Sequence, residues 1–374
     1  MIKFNSPATE YSNSSNILKI VKNKDLIKKK NYNFISNFIQ REINSKYFSL
    51  TQSGSDALEV AFKLLQLKKN DEVILPSFTF SATANAVILN NANPVFCDVN
   101  QKDLCIDLKK AENLITKKTK AICLVHYAGN SCDMEYALYL KKKFNLYLVE
   151  DSAHALFAKY KKRYCGTIGD VGIFSFHATK NFTSAQGGAI SVNNRSLIKR
   201  SKIILNKGNG KIKNNKDFFQ WLDVGSEYQM SEYSAALLRH QINNYKKIQL
   251  KRRNVFFEYA NFFSKHKFNT LQSYSSINNK NVHSYHIFYI LFKKNSHASS
   301  FIHFMKKRGI EVTRHYFPLH LSEFGMKFRK SNCGISKNIY DKIVRLPIHT
   351  KLDDKDIKII LNNIKFFFNN INEK

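Results

Sequence analysis

The strongest constraint on the fold is a rhythm between residues 71 and 192, where short apolar runs ended by proline, glycine or an acid alternate with stretches of helical spacing. Asp71-Glu-Val-Ile-Leu-Pro76, Pro94-Val-Phe-Cys-Asp98-Val99, Ala121-Ile-Cys-Leu-Val-His126-Tyr127 and Tyr147-Leu-Val-Glu150-Asp151 read as strands. Between them lie a loop turning into a helix after Ser77, a helix from Asp107 and a helix from Cys132 to Phe144. Strands alternating with helices of this length build βαβ units on a mostly parallel sheet. Ligands of such sheets sit beyond the carboxyl ends of the strands, which is where Asp151 falls.

The pattern continues with expected strands at Ala155–Tyr160, Val171–His177 and Ala189–Val192 and a helix at Leu197–Leu205. Lys207–Asp217 reads as a mobile glycine, asparagine and lysine loop without a core pattern, and Ser231–Gln241 and the stretch after Tyr245 are helical. From about residue 250 the rhythm changes to a helix, a strand at Tyr285–Phe292, a helix at Ala298–Arg308, a strand at Glu311–Tyr316 and a terminal helix from Asp353 to Ile371. The expectation is an α/β protein with a large domain over 1–247 and a smaller α+β C-terminal domain over 248–374, a division that 374 residues accommodate. Residues 1–45 are polar and lysine-rich with a weak helical pattern.

Chemistry concentrates in Phe174-Ser-Phe-His177-Ala-Thr-Lys180-Asn-Phe-Thr-Ser-Ala-Gln-Gly187-Gly188, where a strand pattern empties into a polar loop with a single lysine. An acid at one strand end and a lysine on a glycine-flanked loop suit an enzyme that links an aldehyde cofactor. Pyridoxal phosphate needs an amine to link it, a carboxylate on its ring nitrogen and a cradle for its phosphate. Lys180 and Asp151 fit the first two. For the third, Gln52-Ser53-Gly54-Ser55-Asp56 opens a helical run, and a helix start offers free N–H groups to an anion as readily as it offers a cap. Phe80 stands at a strand-to-helix corner, where an aromatic either stacks on a flat ring or packs into the core.

Composition narrows the classes. No run reaches the roughly eighteen apolar residues of a membrane span, and the first residues lack the apolar core of a signal peptide, so a cytoplasmic protein is expected. The six cysteines form no C-x-x-C pair and read as buried free thiols. The twelve histidines show no paired ligand spacing, so no metal is expected. The net charge of +32 is spread through most segments, as in bulk compositional bias, whereas a nucleic-acid binder concentrates it in a stripe; no nucleic-acid partner is expected.

Phe4-Asn-Ser-Pro7, the run Asp71 to Ala86, Val125-His-Tyr-Ala-Gly129, Val149-Glu-Asp151, Gly166-Thr-Ile-Gly169, Phe174 to Asn181, Gly225-Ser-Glu-Tyr-Gln-Met-Ser231 and His315-Tyr-Phe-Pro-Leu-His320 together resemble, nearly end to end, the DegT/DnrJ/EryC1/StrS family of sugar aminotransferases. The resemblance implies the pyridoxal-phosphate-dependent aspartate-aminotransferase fold (type I). It implies Lys180 as the linking amine, Asp151 on the pyridine nitrogen, Phe80 stacked on the ring and His154 beside its phenolic oxygen. Ser55 and Asp56 would offer N–H groups, and Ser175 its hydroxyl, to the phosphate. His177 and His315 are candidates for the substrate side, with a packed or surface histidine as the alternative at each. Two positions depart from the family pattern: Glu227 stands where many relatives carry an asparagine that reaches the neighbouring subunit's cofactor phosphate, and Gln186 replaces an acid. The implied reaction moves an amino group from glutamate to the 4-keto carbon of a dTDP-type nucleotide-linked 4-keto-6-deoxy sugar for surface polysaccharide, in a homodimer or larger assembly. Amination at position 3, a perosamine-type sugar, and a non-catalytic basic binding protein on the same fold are the alternatives; a dehydratase is disfavoured because such relatives carry histidine in place of the lysine.

Overall fold

The computed structural model describes residues 1–12, 15, 18, 29–212, 215–278 and 280–370. Much of the expected helical pattern before residue 29, and residues 213–214, 279 and 371–374, lie outside them. The strands are β1 (Phe48–Thr51), β2 (Glu72–Pro76), β3 (Asn93–Cys97), β4 (Thr119–Val125), β5 (Tyr147–Asp151), the short ladder of β6 (Lys159–Tyr160) and β7 (Arg163–Tyr164), β8 (Val171–Ser175), β9 (Gly188–Val192), the hairpin of β10 (Asn209–Ile212) and β11 (Asn215–Trp221), and β12 (Leu271–Tyr274), β13 (Phe288–Phe292) and β14 (Ile343–Leu346). The helices are α1 (Lys30–Glu42), α2 (Gly54–Leu64), α3 (Ser81–Leu89), α4 (Leu108–Leu114), α5 (Met134–Phe144), α6 (Arg195–Ile204), α7 (Glu232–Asn243), α8 (Tyr245–Lys265), α9 (Asn295–Lys307), α10 (Gly334–Ile339) and α11 (Asp354–Asn370).

Seven strands form the central sheet in the order β1-β9-β8-β5-β4-β2-β3. The β3, β2, β4, β5 and β8 neighbours pair in parallel, while β9 runs antiparallel to both β8 and β1. Strands β2, β4, β5 and β8 are almost entirely buried, as apolar runs covered on both faces must be. One face packs Ile74, Ile122, Leu124 and Leu148 with α4 and α5; the other packs Val73, Cys123, Val149 and Ile173 with α2 and α3. A second sheet, β12-β13-β14, is antiparallel and packs Phe288, Ile290 and Phe292 against α8, α9 and α11.

The expected boundary at 248 falls inside α8, whose first turns bury Tyr245 and Ile248 with α1 and α7 while Val255, Phe256 and Tyr259 enter the core of the second sheet. Four segments differ from the sequence reading, one of them Tyr285–Phe292, which is strand only from Phe288 because Tyr285 takes a φ of 55°. Lys207–Asp217 is a β-hairpin, because β10 and β11 pair with each other and need no core; Phe218, Phe219 and Trp221 stay exposed. Ala155–Tyr160 is strand only at its last two residues, since Phe157 takes a φ of 63°. Glu311–Tyr316 forms a lone bridge at Thr313, because Tyr316 turns with φ 26° into the cleft between the two sheets' units. All six cysteines are free and buried, and among the described residues no helix is long and apolar enough to cross a membrane.

Candidate active site

The loops after β4, β5 and β8 and the starts of α2 and α3 surround a cavity of about 820 Å³, closed on its far side by residues around β13 and β14. It brings together Ser55, Phe80, Asp151, His154, Ser175, His177, Lys180 and His315. Asp56 alone of the expected residues does not line it.

Asp151 ends β5, and its backbone position is fixed from behind by its neighbour Glu150. That carboxylate is fully buried and accepts the N–H groups of Gly166 (2.8 Å), Ile168 (2.7 Å) and Gly169 (2.5 Å). His126 adds a fourth bond at 3.0 Å: its Nδ1 accepts the Cys132 N–H, so its Nε2–H donates to Glu150. Asp151 itself accepts the Thr83 hydroxyl at 2.9 Å and the Ala153 N–H at 3.1 Å. Burial raises its carboxyl above the usual range, against the pull of those two bonds and of the Lys180 charge. A cationic N–H brought against the carboxylate would restore its charged form.

Lys180 follows a tight turn in which its own N–H donates to the His177 carbonyl at 2.9 Å. Its side chain enters the cavity, whose walls strip water from the amine; burial lowers it from the ordinary lysine value to about 8, the charge of Asp151 opposing and that of Arg345 assisting. An aldehyde reacts only with the neutral amine. Borohydride trapping of an added aldehyde, mapped by mass spectrometry, should therefore show labelling of Lys180 rising with pH and levelling above about 8. A free lysine derivative labelled alongside as the reference amine, with its value of ~10.4, should keep rising. A Lys180 profile that follows the reference amine would contradict the assigned environment.

An anion cradle lies at the start of α2. Ser53 caps the helix, its hydroxyl accepting the Asp56 N–H at 3.0 Å, which commits the group that the sequence offered to a ligand. The N–H groups of Gly54 and Ser55, in the first helical turn, have no intrahelical acceptor. Ser175 faces them closely: a Cβ on Gly54 would stand 3.0 Å from the Ser175 Cβ and 3.2 Å from its hydroxyl. Gly188 permits this approach, since a Cβ there would lie 2.3 Å from the Ser53 carbonyl oxygen. Two free N–H groups at a helix's positive end and a hydroxyl suit a phosphate.

Phe80, at the residue before α3, is 59% exposed, although the chain has ample core for it. Its nearest ring is Tyr316, with centroids 6.2 Å apart, so one aromatic face remains free toward the cavity. His154 is neutral through burial, helped by the charges of Lys180 and Arg345. Its Nδ1 accepts the Ala128 N–H at 3.3 Å, which places the proton on Nε2, 3.3 Å from the Tyr316 hydroxyl. His315 pairs through Nδ1 with the Tyr127 hydroxyl at 2.8 Å and stacks on Tyr316 at 3.6 Å. His177 is exposed at the rim and bonds Thr179 at 3.0 Å. Gln186 also reaches the cavity, whereas Glu227 lies outside it in an ion pair with Lys207.

Sequence reasoning missed Thr83, His286, Tyr316 and Arg345, all on the cavity wall. Arg345 had a signal: a cation inside the apolar run Ile343-Val-Arg-Leu-Pro-Ile348. Its guanidinium donates to the Arg314 carbonyl at 3.2 and 2.9 Å and lies 4.6 Å from the Phe4 ring centre. Among the described residues no acid stands within ion-pair distance of it, so a half-buried cation faces the cavity uncompensated. No cluster of metal-ligating side chains occurs among the described residues.

The model of the DegT/DnrJ/EryC1/StrS aminotransferase family matches residues 11–365. The chain is 30% identical to the UDP-4-amino-4,6-dideoxy-N-acetyl-beta-L-altrosamine transaminase of Campylobacter jejuni, covering 97% of this chain and 96% of that one. It is also 30% identical to the dTDP-3-amino-3,6-dideoxy-alpha-D-galactopyranose transaminase of Aneurinibacillus thermoaerophilus, covering 86% and 85%. The Streptococcus pneumoniae protein Spr1654, solved in its PLP form, shares the fold with a TM-score of 0.89 at 23% identity over 98% of both chains.

Proposed function

The chain belongs to the DegT/DnrJ/EryC1/StrS aminotransferase family, and on that premise we propose that it is a pyridoxal-phosphate-dependent transaminase moving an amino group from glutamate to the 4-keto carbon of a nucleotide-linked 4-keto-6-deoxy sugar for surface polysaccharide. The observation that carries this reading is one cavity holding the Lys180 amine, the braced Asp151 carboxylate and the anion cradle at α2. Among the relatives, the Campylobacter enzyme is named for a UDP-linked 4-amino sugar and the Aneurinibacillus enzyme for a dTDP-linked 3-amino sugar. Both bear on the sugar class, and the resemblance along the motifs favours the dTDP-linked, 4-amino choice.

Pyridoxal phosphate, when bound, supplies an aldehyde for the amine and a ring that takes up the electron pair left when the amino carbon loses its proton. The residues divide the remaining work. Gly54, Ser55 and Ser175 would hold the phosphate, Phe80 would cover one ring face, and Asp151 would hold a proton on the ring nitrogen. Thr83 and Ala153 keep the Asp151 oxygens oriented. The Lys180 amine, half of it neutral at about pH 8, would be the base that takes the proton from the amino carbon and returns it two bonds away, on the far side of the amino nitrogen. Arg345 meets a carboxylate of the donor, which settles its own unbalanced charge. A homodimer in the cytoplasm is part of the reading; the exposed hairpin face of Phe218, Phe219 and Trp221 is apolar surface of the kind a second copy covers.

The test is a profile of nucleotide-linked keto sugars with glutamate as donor, scored by 2-oxoglutarate release. A dTDP-linked 4-keto-6-deoxy sugar should give the highest kcat/KM, and Arg345→Leu should raise the glutamate KM about tenfold or more with the sugar KM little changed. No turnover with any keto sugar, or equal effects of Arg345→Leu on donor and acceptor, would contradict the reading.

A further inference from the structure

His286 is the cavity's least expected polar group: it is only 8% exposed, and it lines the wall close to His154, their ring centroids 4.4 Å apart. Its Nδ1 lies 2.8 Å from the Asn181 Oδ1. The Asn181 amide nitrogen is committed to the Ser284 carbonyl at 2.8 Å, so oxygen is the atom facing the ring and the Nδ1–H donates to it. Burial and the neighbouring His154, Lys180 and Arg252 keep the ring neutral. Its Nε2 is therefore a bare lone pair, and among the described residues no hydrogen bond reaches it.

The acceptor is rigidly placed. Arg252 donates to the carbonyls of Tyr285 (3.0 Å) and His286 (2.8 Å), and the Ile287 N–H donates to the Ala128 carbonyl at 3.2 Å. His154 holds the opposite tautomer, with its proton on Nε2. The pair, with its rings tilted by 36°, thus offers one acceptor and one donor at fixed positions, and Asn181, next to Lys180 in the chain, sets the first of them.

We propose that the His286 Nε2 accepts a hydroxyl of the keto sugar, so that His286, positioned by Asn181, selects the hydroxyl pattern of the amino acceptor. The inference rests on the transaminase reading and narrows it. Of the two substrates, the amino donor brings carboxylates, which a lone pair repels, and an amine that is consumed at the reacting carbon. The sugar alone keeps O–H donors through the reaction. A buried site built to bond a hydroxyl also rejects an analogue lacking it far more strongly than a shape-matched apolar wall rejects an added group.

The two half-reactions separate the outcomes, with dTDP-4-keto-6-deoxyglucose as the acceptor probe and the absorbance change with glutamate alone as the donor readout. His286→Leu should raise the sugar KM about ten- to hundredfold, the loss of one buried hydrogen bond, while slowing the glutamate reaction by no more than about threefold. His286→Gln, which keeps an acceptor, should recover part of the loss. Asn181→Asp should hold a second proton on the ring, and nitrogen NMR of histidine-labelled protein should show the His286 Nε2 unprotonated at pH 7 in the parent and protonated in that variant. Equal losses in both half-reactions for His286→Leu, or a protonated Nε2 in the parent, overturn the inference and leave the transaminase reading standing. A parent enzyme inert to glutamate overturns that reading, and this inference with it.

Discussion

Lys180→Ala is expected to abolish transamination, lowering kcat by at least about 10⁴-fold, the upper end of what a positioned proton-transfer group supplies. On the proposed reading the loss has two parts, since the amine that would link the cofactor and the base that would carry the proton are the same group. Both depend on a neutral amine, which burial provides by bringing it to about 8. The fold should not suffer. Because the folded value lies below the unfolded one, the charged amine costs stability at neutral pH, and the penalty is relieved as pH rises from about 8 through the unfolded range. Removing the amine therefore removes a cost, offset in part by the attraction lost to Asp151. Thermal melts of parent and variant at pH 7 check this: a melting point no more than about 3 °C lower fits. Wild-type kcat in the variant would exclude Lys180 from the chemistry.

Asp151→Asn is expected to lower kcat by about 10²- to 10⁴-fold, because breaking a buried charge pair costs ~3–5 kcal/mol. The carboxylate has two donors already aimed at it, Thr83 and Ala153, and its remaining capacity points into the cavity. Asparagine keeps the size and loses the charge that would hold a proton on the ring nitrogen. Steady-state kinetics with saturating cofactor tests this, and a loss confined to cofactor affinity with kcat intact would assign Asp151 to binding alone.

The parallel sheet and the strand end at Asp151 were legible because each buried strand must be apolar along its length and must stop where the chain meets polar surroundings. Lys180 was legible because a lone cation on a glycine-flanked loop has few structural uses. What the sequence hid depended on contacts between distant segments. The Asp56 N–H spent on Ser53 is the exception, a local cap that the helix start had offered as readily as an anion site. Thr83 looks like any residue of a helix's first turn until Asp151 is brought beside it. His286 and Tyr316 sit at the ends of apolar runs that read as strand, and they serve the cavity because Tyr285 and Tyr316 adopt positive φ and leave the extended path there. Arg345 was the one missed residue with a local sign, a charge in the middle of a buried strand pattern. The hairpin at 209–221 was misread because its pairing is internal and its aromatic residues remain exposed.

The most direct test of the central claim, that Lys180 and Asp151 face one cofactor in this cavity, is the visible spectrum of the purified protein given pyridoxal phosphate and then glutamate. The parent should turn yellow, lose that band when glutamate is added, and recover it with 2-oxoglutarate, while Lys180→Ala never shows the linked band. A protein that takes up no cofactor, or whose band ignores glutamate, would contradict the account.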